Sequence, residues 1–158
     1  MSPHLNDSPT HFIVLSTTYK NINTLDKIIK FTKLTKSEVE TILKELETQR
    51  RVIKFEKKIF FLGKKTQYKL TDTGLKVLTS KHQELENKLR QVQQLYSQGD
   101  KAQLQTFMGN NRSWMSFLIF SGIMDMVFFM SLMSFMGMAL NPMESSMAGD
   151  IGHTGATD

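Results

Sequence analysis

The sequence predicts a mainly helical α+β fold with one small β-hairpin, followed by a long helix and then one hydrophobic helix. Three observations predict this class. Apolar residues recur at helical spacing as far as Arg50, short strand-like runs follow between Val52 and Leu70, and helical spacing resumes at Leu75. The chain has 158 residues and no cysteine, which excludes disulfide scaffolds, thiolate metal sites and cysteine nucleophiles.

Charge divides the chain into a basic front and a weakly acidic end. Residues 1–113 contain all 20 Lys and Arg against 11 Asp and Glu, whereas residues 141–158 contain three acids and no Lys or Arg. Ten of the 11 methionines lie between Met108 and Met147. We therefore expect two physically different regions, the first of them in the cytoplasm because no secretory signal is recognisable.

Three short helices are predicted in the front, after a disordered stretch over residues 1–8. Ser8-Pro9 has the order of an N-cap followed by a first-turn proline, and Thr24 can cap a second helix. Thr35 and Glu38 match the capping box of a third helix. The buried face of that helix is predicted to contain Val39, Ile42, Leu43 and Leu46.

A basic β-hairpin is predicted after the third helix. Val52-Ile53 and the run from Ile59 to Leu62 are strand-like, and Gly63-Lys64-Lys65 is predicted to be the turn that precedes the last strand. Eight basic residues accompany the single acid Glu56 here: Arg50, Arg51, Lys54, Lys57, Lys58, Lys64, Lys65 and Lys69. Three helices, a basic hairpin and a further helix are the layout of a winged-helix domain, which we place at residues 9–73.

The stretch from Tyr68 to Leu75, which reads Tyr-Lys-Leu-Thr-Asp-Thr-Gly-Leu, comes after Leu43–Leu46 and Val52-Ile53. These residues resemble the recognition helix, wing strand and following helix start of PadR/MarR-type winged helix-turn-helix regulators of prokaryotes. The resemblance covers about residues 9–98 and implies a DNA-binding regulator of transcription that dimerises through a C-terminal helix. One departure is Arg50-Arg51, where these regulators usually have a glycine.

Two sets of residues are predicted to contact double-stranded DNA. The third helix would enter the major groove with its polar face, which comprises Lys36, Ser37, Glu40, Thr41 and Lys44. The hairpin would bind phosphates through Arg50, Arg51, Lys54, Lys57, Lys58, Lys64 and Lys65. Two alternatives stay open: the lysines only keep a sheet edge soluble, or the domain docks a protein, as the acids Glu40 and Glu47 would allow.

A long helix over residues 74–98 is predicted to pair with its copy in a homodimer. Its apolar residues fall into heptads: Leu75, His82, Leu89 and Tyr96 at one position, and Leu78, Leu85 and Val92 at the other. The alternative is that this stripe packs onto its own winged-helix domain. Residues 99–113 are then predicted to be a linker.

The segment from Trp114 to Leu140 has 27 residues and one charge, Asp125. As one helix it would span about 40 Å, enough to cross a hydrocarbon core of about 30 Å. Trp114 suits an interfacial anchor and Asp125 a contact or functional group within the membrane. The basic front would then lie on the cytoplasmic side. The alternative is a soluble protein in which this segment forms a helical hairpin or an oligomer core and exploits the adaptability of methionine side chains.

The remaining signals are weaker. Met130, Met133, Met136 and Met138 could suggest Cu(I), but packing is the commoner role, so no metal or cofactor is predicted. The four histidines are scattered and no catalytic motif is present, so we expect no enzyme and no small-molecule substrate. Residues 141–158 are expected to be a disordered acidic tail.

The sequence thus predicts a dimeric regulator that binds DNA and is tethered to membrane lipid by one C-terminal span. Two other functions remain open at this point. One is a winged-helix interaction adaptor anchored in a membrane complex. The other is a soluble, cytoplasmic regulator that senses a ligand through the Met-rich segment.

Overall fold

The computed structural model describes the chain from residue 8 to residue 156, and the surroundings of its side chains as far as residue 149. The described residues form eight α-helices and one two-stranded antiparallel sheet, so the mainly helical α+β class is confirmed. The chain divides into two compact units, residues 1–81 and residues 82–158. The disorder expected for residues 1–8 falls, except for Ser8, outside the described residues.

The N-terminal unit contains three helices, the hairpin and the start of a long helix. In chain order these are α1 (Pro9–Tyr19), α2 (Leu25–Thr32), α3 (Lys36–Thr48), β1 (Val52–Ile59), β2 (Gly63–Leu70) and α4 (Asp72–Ser97). The predicted caps are confirmed. Ser8 and Thr24 each accept a hydrogen bond from a backbone N–H in the first turn, and Thr35 and Glu38 form a complete capping box.

The core of this unit is built around α1, in which every residue from His11 to Thr18 is buried. Helix α1 contacts α2, α3 and β2, which explains why its apolar residues do not follow a single stripe. The hydroxyls of Thr17 and Thr18 donate to the carbonyls of Val14 and Leu15, so they are buried without losing their hydrogen bonds. The other buried apolar side chains include Ile28, Val39, Ile42, Leu43, Leu46 and Val52.

The hairpin turn lies three residues earlier than the sequence predicted. Strands β1 and β2 pair from Val52 opposite Leu70 to Ile59 opposite Gly63, so the turn is formed by residues 60–62. Phe61 adopts a left-handed conformation with φ of 68°, and the backbone N–H of Leu62 donates to the carbonyl of Ile59. The prediction was wrong because residues 59–62 are an apolar run typical of a strand, yet residues 60–62 face water.

Helix α4 begins at the Leu-Thr-x-x-Gly sequence. The Thr71 hydroxyl lies 2.6 Å from the Arg50 carbonyl oxygen and accepts the Gly74 N–H at 2.9 Å. A Cβ on Gly74 would lie 2.1 Å from the Arg51 carbonyl oxygen. The threonine therefore caps the helix while the glycine lets its first turn rest on the chain that precedes β1.

The C-terminal unit contains the rest of α4 and four further helices. These are α5 (Lys101–Asn111), a 3₁₀ turn (Arg112–Trp114), α6 (Met115–Phe120), α7 (Met126–Met136) and α8 (Pro142–Ala156). The linker predicted at residues 99–113 is thus largely helical. Gly99, with φ of 68°, ends α4, and the Asp100 carboxylate caps α5 by accepting the Gln103 N–H at 3.1 Å.

The segment from residue 114 to residue 140 is not the single helix that was predicted. Gly122, with φ of 82°, interrupts it, and Asp125 restarts it by accepting the Val127 N–H at 3.1 Å. Asp125 is exposed as the N-cap of α7 instead of lying inside a helix. Among residues 8–156, no helix combines the length and the apolar character needed to cross a membrane.

Methionines and aromatic residues fill the core of the C-terminal unit. The buried side chains include Leu104, Met108, Met115, Phe117, Met124, Met126, Phe129, Leu132, Met133 and Met136. Met130 is exposed while Met133 and Met136 are buried, so these thioethers do not share one environment. Packing, the role that the sequence favoured over copper binding, accounts for the buried methionines.

The tail expected to be disordered forms α8 over residues 142–156 instead. Asn141 accepts the Glu144 N–H at 2.8 Å, and the Glu144 carboxylate accepts the Asn141 N–H at 2.9 Å, which is a reciprocal cap. Glu144 has no exposed surface, and its two oxygens accept from the Arg112 guanidinium at 2.5 and 3.1 Å. Composition alone did not predict this helix, because Arg112, the residue that pairs with Glu144, lies 32 positions earlier in the chain.

Candidate nucleic-acid interface

Four lysines surround the distal part of the hairpin. The strand register places Lys57 opposite Lys65 and Lys58 opposite Lys64, and all four are exposed. We call them the lysine collar. Like charges directly opposite each other destabilise a strand pair. The carboxylate of nearby Glu56 lies 3.7 Å from the ammonium group of Lys64. The collar is therefore a concentration of positive charge that a polyanion would stabilise.

The collar presents charge on both faces of the hairpin. Successive side chains in a strand point to opposite faces, so the pair Lys57 and Lys65 lies on one face and the pair Lys58 and Lys64 on the other. A two-sided positive ribbon can contact anionic groups on both sides at once. The two phosphate rows that border a groove of a nucleic acid are one such arrangement.

Helix α3 presents the polar face that the sequence predicted, but without a net positive charge. Lys36, Ser37, Glu40, Thr41 and Lys44 are all exposed. Lys36 lies 3.9 Å from Glu40, so these two charges partly neutralise each other. Exposed Glu38 and Glu47 further offset the lysines of this helix. The excess of positive charge in this unit therefore lies on the hairpin.

An open groove of about 500 Å³ lies between the helices and the hairpin of the N-terminal unit. Its lining comprises Leu25, Glu40, Leu43, Lys44, Glu47, Lys54, Thr66 and Tyr68. Two lysines and two glutamates balance each other in this lining. The groove therefore attracts anions less than the collar does, although Lys54, a predicted phosphate contact, is one of its lining residues.

The two arginines that precede β1 differ in environment. Arg50 is exposed and its backbone is left-handed, with φ of 61°, a conformation that glycine adopts more readily. Arg51 is half-buried, and its carbonyl oxygen accepts the Thr71 N–H at 3.1 Å. The unusual Arg50 thus stands at a position whose backbone would suit the glycine of the PadR/MarR-type pattern.

The structure also joins three polar residues that the sequence analysis did not connect. The Ser8 hydroxyl lies 2.5 Å from Nδ1 of His11, and Nε2 of His11 hydrogen-bonds the Glu45 carboxylate. This order resembles a nucleophile, a base and an acid, but Ser8 caps α1 and His11 is buried between α1 and α3. We assign the trio a structural role, since it fixes α1 to α3. A histidine inside an apolar helix was the signal available in the sequence.

The residues predicted to form a dimer seam are largely covered within one chain. Leu78 is buried in the N-terminal unit, and Leu85 and Val92 are each 1% exposed in the C-terminal unit. Leu89 joins Leu85 and Val92 in one apolar cluster whose other apolar members are Phe107, Trp114, Met115, Leu118 and Met124. Leu75, at 41%, is the most exposed of the seven heptad positions.

The two aromatic seam positions and Trp114 also contact this chain. The Tyr96 ring lies 5.6 and 5.5 Å from the rings of Phe128 and Phe135, and His82 lies 6.0 Å from Phe117. Trp114, predicted as a membrane anchor, is half-buried with its ring 6.0 Å from Phe117. The heptad stripe of the C-terminal unit therefore packs against α6, α7 and their neighbours, an arrangement that the sequence did not predict.

Within the described part of the chain, no group of three or more His, Asp and Glu residues could hold a metal ion. Comparisons with protein-family models, curated proteins and solved structures find no match to this chain.

Proposed function

We propose that this chain is a DNA-binding regulator of the winged-helix type and not an enzyme, with the hairpin as its wing and α3 as its recognition helix. The observation that carries the proposal is the lysine collar: Lys57 and Lys58 directly opposite Lys65 and Lys64, all exposed. The resemblance of residues 9–98 to PadR/MarR-type regulators supports the same function.

The collar supports DNA binding on electrostatic grounds. Phosphates placed between the paired lysines would relieve their mutual repulsion and release condensed counterions from the DNA. Both effects favour association and neither depends on base sequence. The wing is therefore expected to supply most of the affinity and most of its salt dependence.

Helix α3 is expected to supply selectivity rather than affinity. Its exposed face offers Ser37, Thr41 and Lys44, whose side chains can hydrogen-bond base edges in a major groove. The pairing of Lys36 with Glu40 leaves this helix with little net attraction for phosphates. A regulator built in this way would bind many duplexes weakly and its own site more tightly.

The experiment compares two variants of the full chain that have the same net charge. In the first, Lys57, Lys58, Lys64 and Lys65 are changed to Gln; in the second, the exposed lysines outside the hairpin, Lys27, Lys30, Lys76 and Lys101, are changed to Gln. Binding of a labelled duplex is measured by fluorescence anisotropy at one salt concentration, and circular dichroism checks that both variants are folded.

We expect the collar variant to bind the duplex at least about tenfold more weakly than the wild type, and the control variant to lose much less. Equal losses in the two variants would mean that net charge alone drives binding. Unchanged binding in the collar variant would contradict the proposal, because the duplex would then bind elsewhere on the chain. No duplex binding by the wild type would favour a winged helix that docks a protein through the groove beside α3.

A further inference from the structure

Three large apolar side chains project into water at the end of the hairpin. Phe60, Phe61 and Leu62 are 84%, 93% and 80% exposed, and we call them the tip. Single exposed apolar residues are common on proteins, but three adjacent ones on a protruding turn form an apolar patch at one point. Such a patch is typical of a surface that meets an apolar partner.

The turn itself does not require these residues. Phe61 is left-handed with φ of 68°, a position where Gly and Asn are favoured and an aromatic residue is strained. A polar turn residue would therefore suit the backbone and the solvent better. The apolar identity of the tip needs another explanation, and contact with a partner provides one.

The lysine collar lies at a defined depth behind the tip. Counted inward from the turn at residues 60–62, the pair Lys58 and Lys64 is the second strand pair and the pair Lys57 and Lys65 is the third. At about 3.3 Å per residue, the collar is about 7 to 10 Å behind the turn. Apolar groups that enter a bilayer interface are buried about 5 to 10 Å deep, so the collar would meet the headgroups.

We propose that the tip inserts into the interface of an anionic lipid bilayer while the lysine collar binds the lipid headgroups. The apolar side chains would leave water, and lysines on both faces of the hairpin would meet negative charge on every side of the inserted ribbon. This proposal is independent of the DNA-binding function. It does predict that DNA and lipid compete, because both would use the same four lysines.

Two other partners fit the tip less well. The rings of Phe60 and Phe61 meet edge to face, with centroids 4.3 Å apart and planes at 66°, so they do not form one flat platform for a base. Leu62 has no aromatic face to stack. A second copy of this chain meeting tip to tip would bring two lysine collars together, and their charges would oppose the contact.

The first experiment measures co-sedimentation of the full chain with vesicles of phosphatidylcholine alone or with added phosphatidylserine. One variant changes Phe60, Phe61 and Leu62 to Ser. A matched control changes three exposed apolar residues elsewhere in the N-terminal unit, Tyr19, Phe31 and Leu75, to Ser. We expect the wild type and the control to bind the anionic vesicles, and the tip variant to bind at least about tenfold more weakly. Equal binding by the tip variant and the wild type would overturn the proposal.

The second experiment places a reporter in the tip, so that binding by another part of the chain is not mistaken for insertion. The Phe61→Trp change is made together with Trp114→Phe, which leaves one tryptophan in the chain. Its fluorescence should shift to shorter wavelength on addition of anionic vesicles and stay unchanged with phosphatidylcholine vesicles.

The absence of a shift while the protein sediments with vesicles would overturn the proposal. So would a tip that responds to duplex DNA and not to vesicles. The duplex affinity of the tip variant separates this proposal from the DNA-binding function. If the variant binds duplex normally but no longer binds vesicles, the tip serves the membrane alone while the lysine collar serves both partners, as proposed.

Discussion

At the scale of single residues, two backbone positions determine how the hairpin joins the rest of its unit. Gly74 rests on the Arg51 carbonyl, and Arg50 holds a left-handed turn immediately before β1. Both positions belong to the PadR/MarR-type pattern that residues 9–98 resemble. The pattern does not contain the reason for the glycine, because that reason is a close approach to a carbonyl more than 20 residues earlier in the chain.

Gly74→Ala is expected to lower the free energy of unfolding by about 1 to 3 kcal/mol. The added Cβ would lie 2.1 Å from a backbone oxygen, which cannot move aside as a flexible side chain could. Urea unfolding of the full chain measures the change. Gly109→Ala is the control, because a Cβ at this position of α5 meets nothing within 4 Å and alanine favours helix. A Gly74→Ala protein as stable as wild type would show that this packing is wrong.

Arg50→Gly is expected to raise the free energy of unfolding by about 0.5 to 1 kcal/mol, because relief of about 1 to 2 kcal/mol of left-handed strain at φ of 61° outweighs the entropy that glycine adds to the unfolded chain. The same change removes a positive charge beside the hairpin, so the DNA-binding proposal predicts a lower duplex affinity. Arg50→Ala separates the two effects, since it removes the charge and keeps the strain. Affinity should fall equally in both variants, while stability rises only with glycine. A stability gain with alanine as large as that with glycine would contradict the assignment of strain.

At the scale of elements, the sequence predicted helices that carry their own start signals. Thr35 and Glu38 mark α3 locally, and the capping box is confirmed. The hairpin was also predictable, although its turn was misplaced. The sequence gives no local sign that residues 60–62 are exposed, because an apolar run of this length usually belongs to a buried strand.

The C-terminal elements were harder to predict because long-range contacts define them. The long apolar segment favoured one continuous helix, but Gly122 and the cap Asp125 divide it. Helix α8 depends on the buried Glu144, whose charge is compensated by Arg112 from a different element. A composition rich in Gly and Ser could not reveal that ion pair.

Arg112→Met is expected to destabilise the C-terminal unit by about 3 to 5 kcal/mol, because it leaves the fully buried Glu144 carboxylate without its cation. Chemical denaturation monitored by circular dichroism measures the loss. The double variant Arg112→Met with Glu144→Leu should recover much of the stability, since no buried charge is then left unpaired. Additive losses in the double variant would show that the two residues do not act as a pair.

At the scale of the whole molecule, the polarised charge was fully readable from the sequence and underlies the proposed function. The heptad stripe of α4 was also predictable from the sequence, but the apolar surface that covers this stripe was not. Any apolar helix can cover such a stripe, whether it comes from a second copy or from the same chain. In the C-terminal unit the same chain provides the cover for Leu85 and Val92.

Leu85→Asp is expected to unfold part of the C-terminal unit without changing the molecular mass of the particle in solution. Leu85 is 1% exposed within one chain, so a charge there disrupts this chain's own core. Light scattering measures the mass and circular dichroism measures the helix content. Gln91→Asp, on an exposed position of α4, is the control. A fall in mass from dimer to monomer with unchanged helix content would instead place Leu85 in a seam between copies.

The most direct measurement for the DNA-binding proposal is the salt dependence of duplex binding by the full chain. The logarithm of the association constant should fall linearly with the logarithm of salt concentration, with a slope of about −0.9 for each phosphate neutralised. In the variant with Lys57, Lys58, Lys64 and Lys65 changed to Gln, the slope should be shallower by about 3 to 4. A wild-type slope near zero, or the same slope in both proteins, would contradict the proposal that the hairpin is a DNA-binding wing.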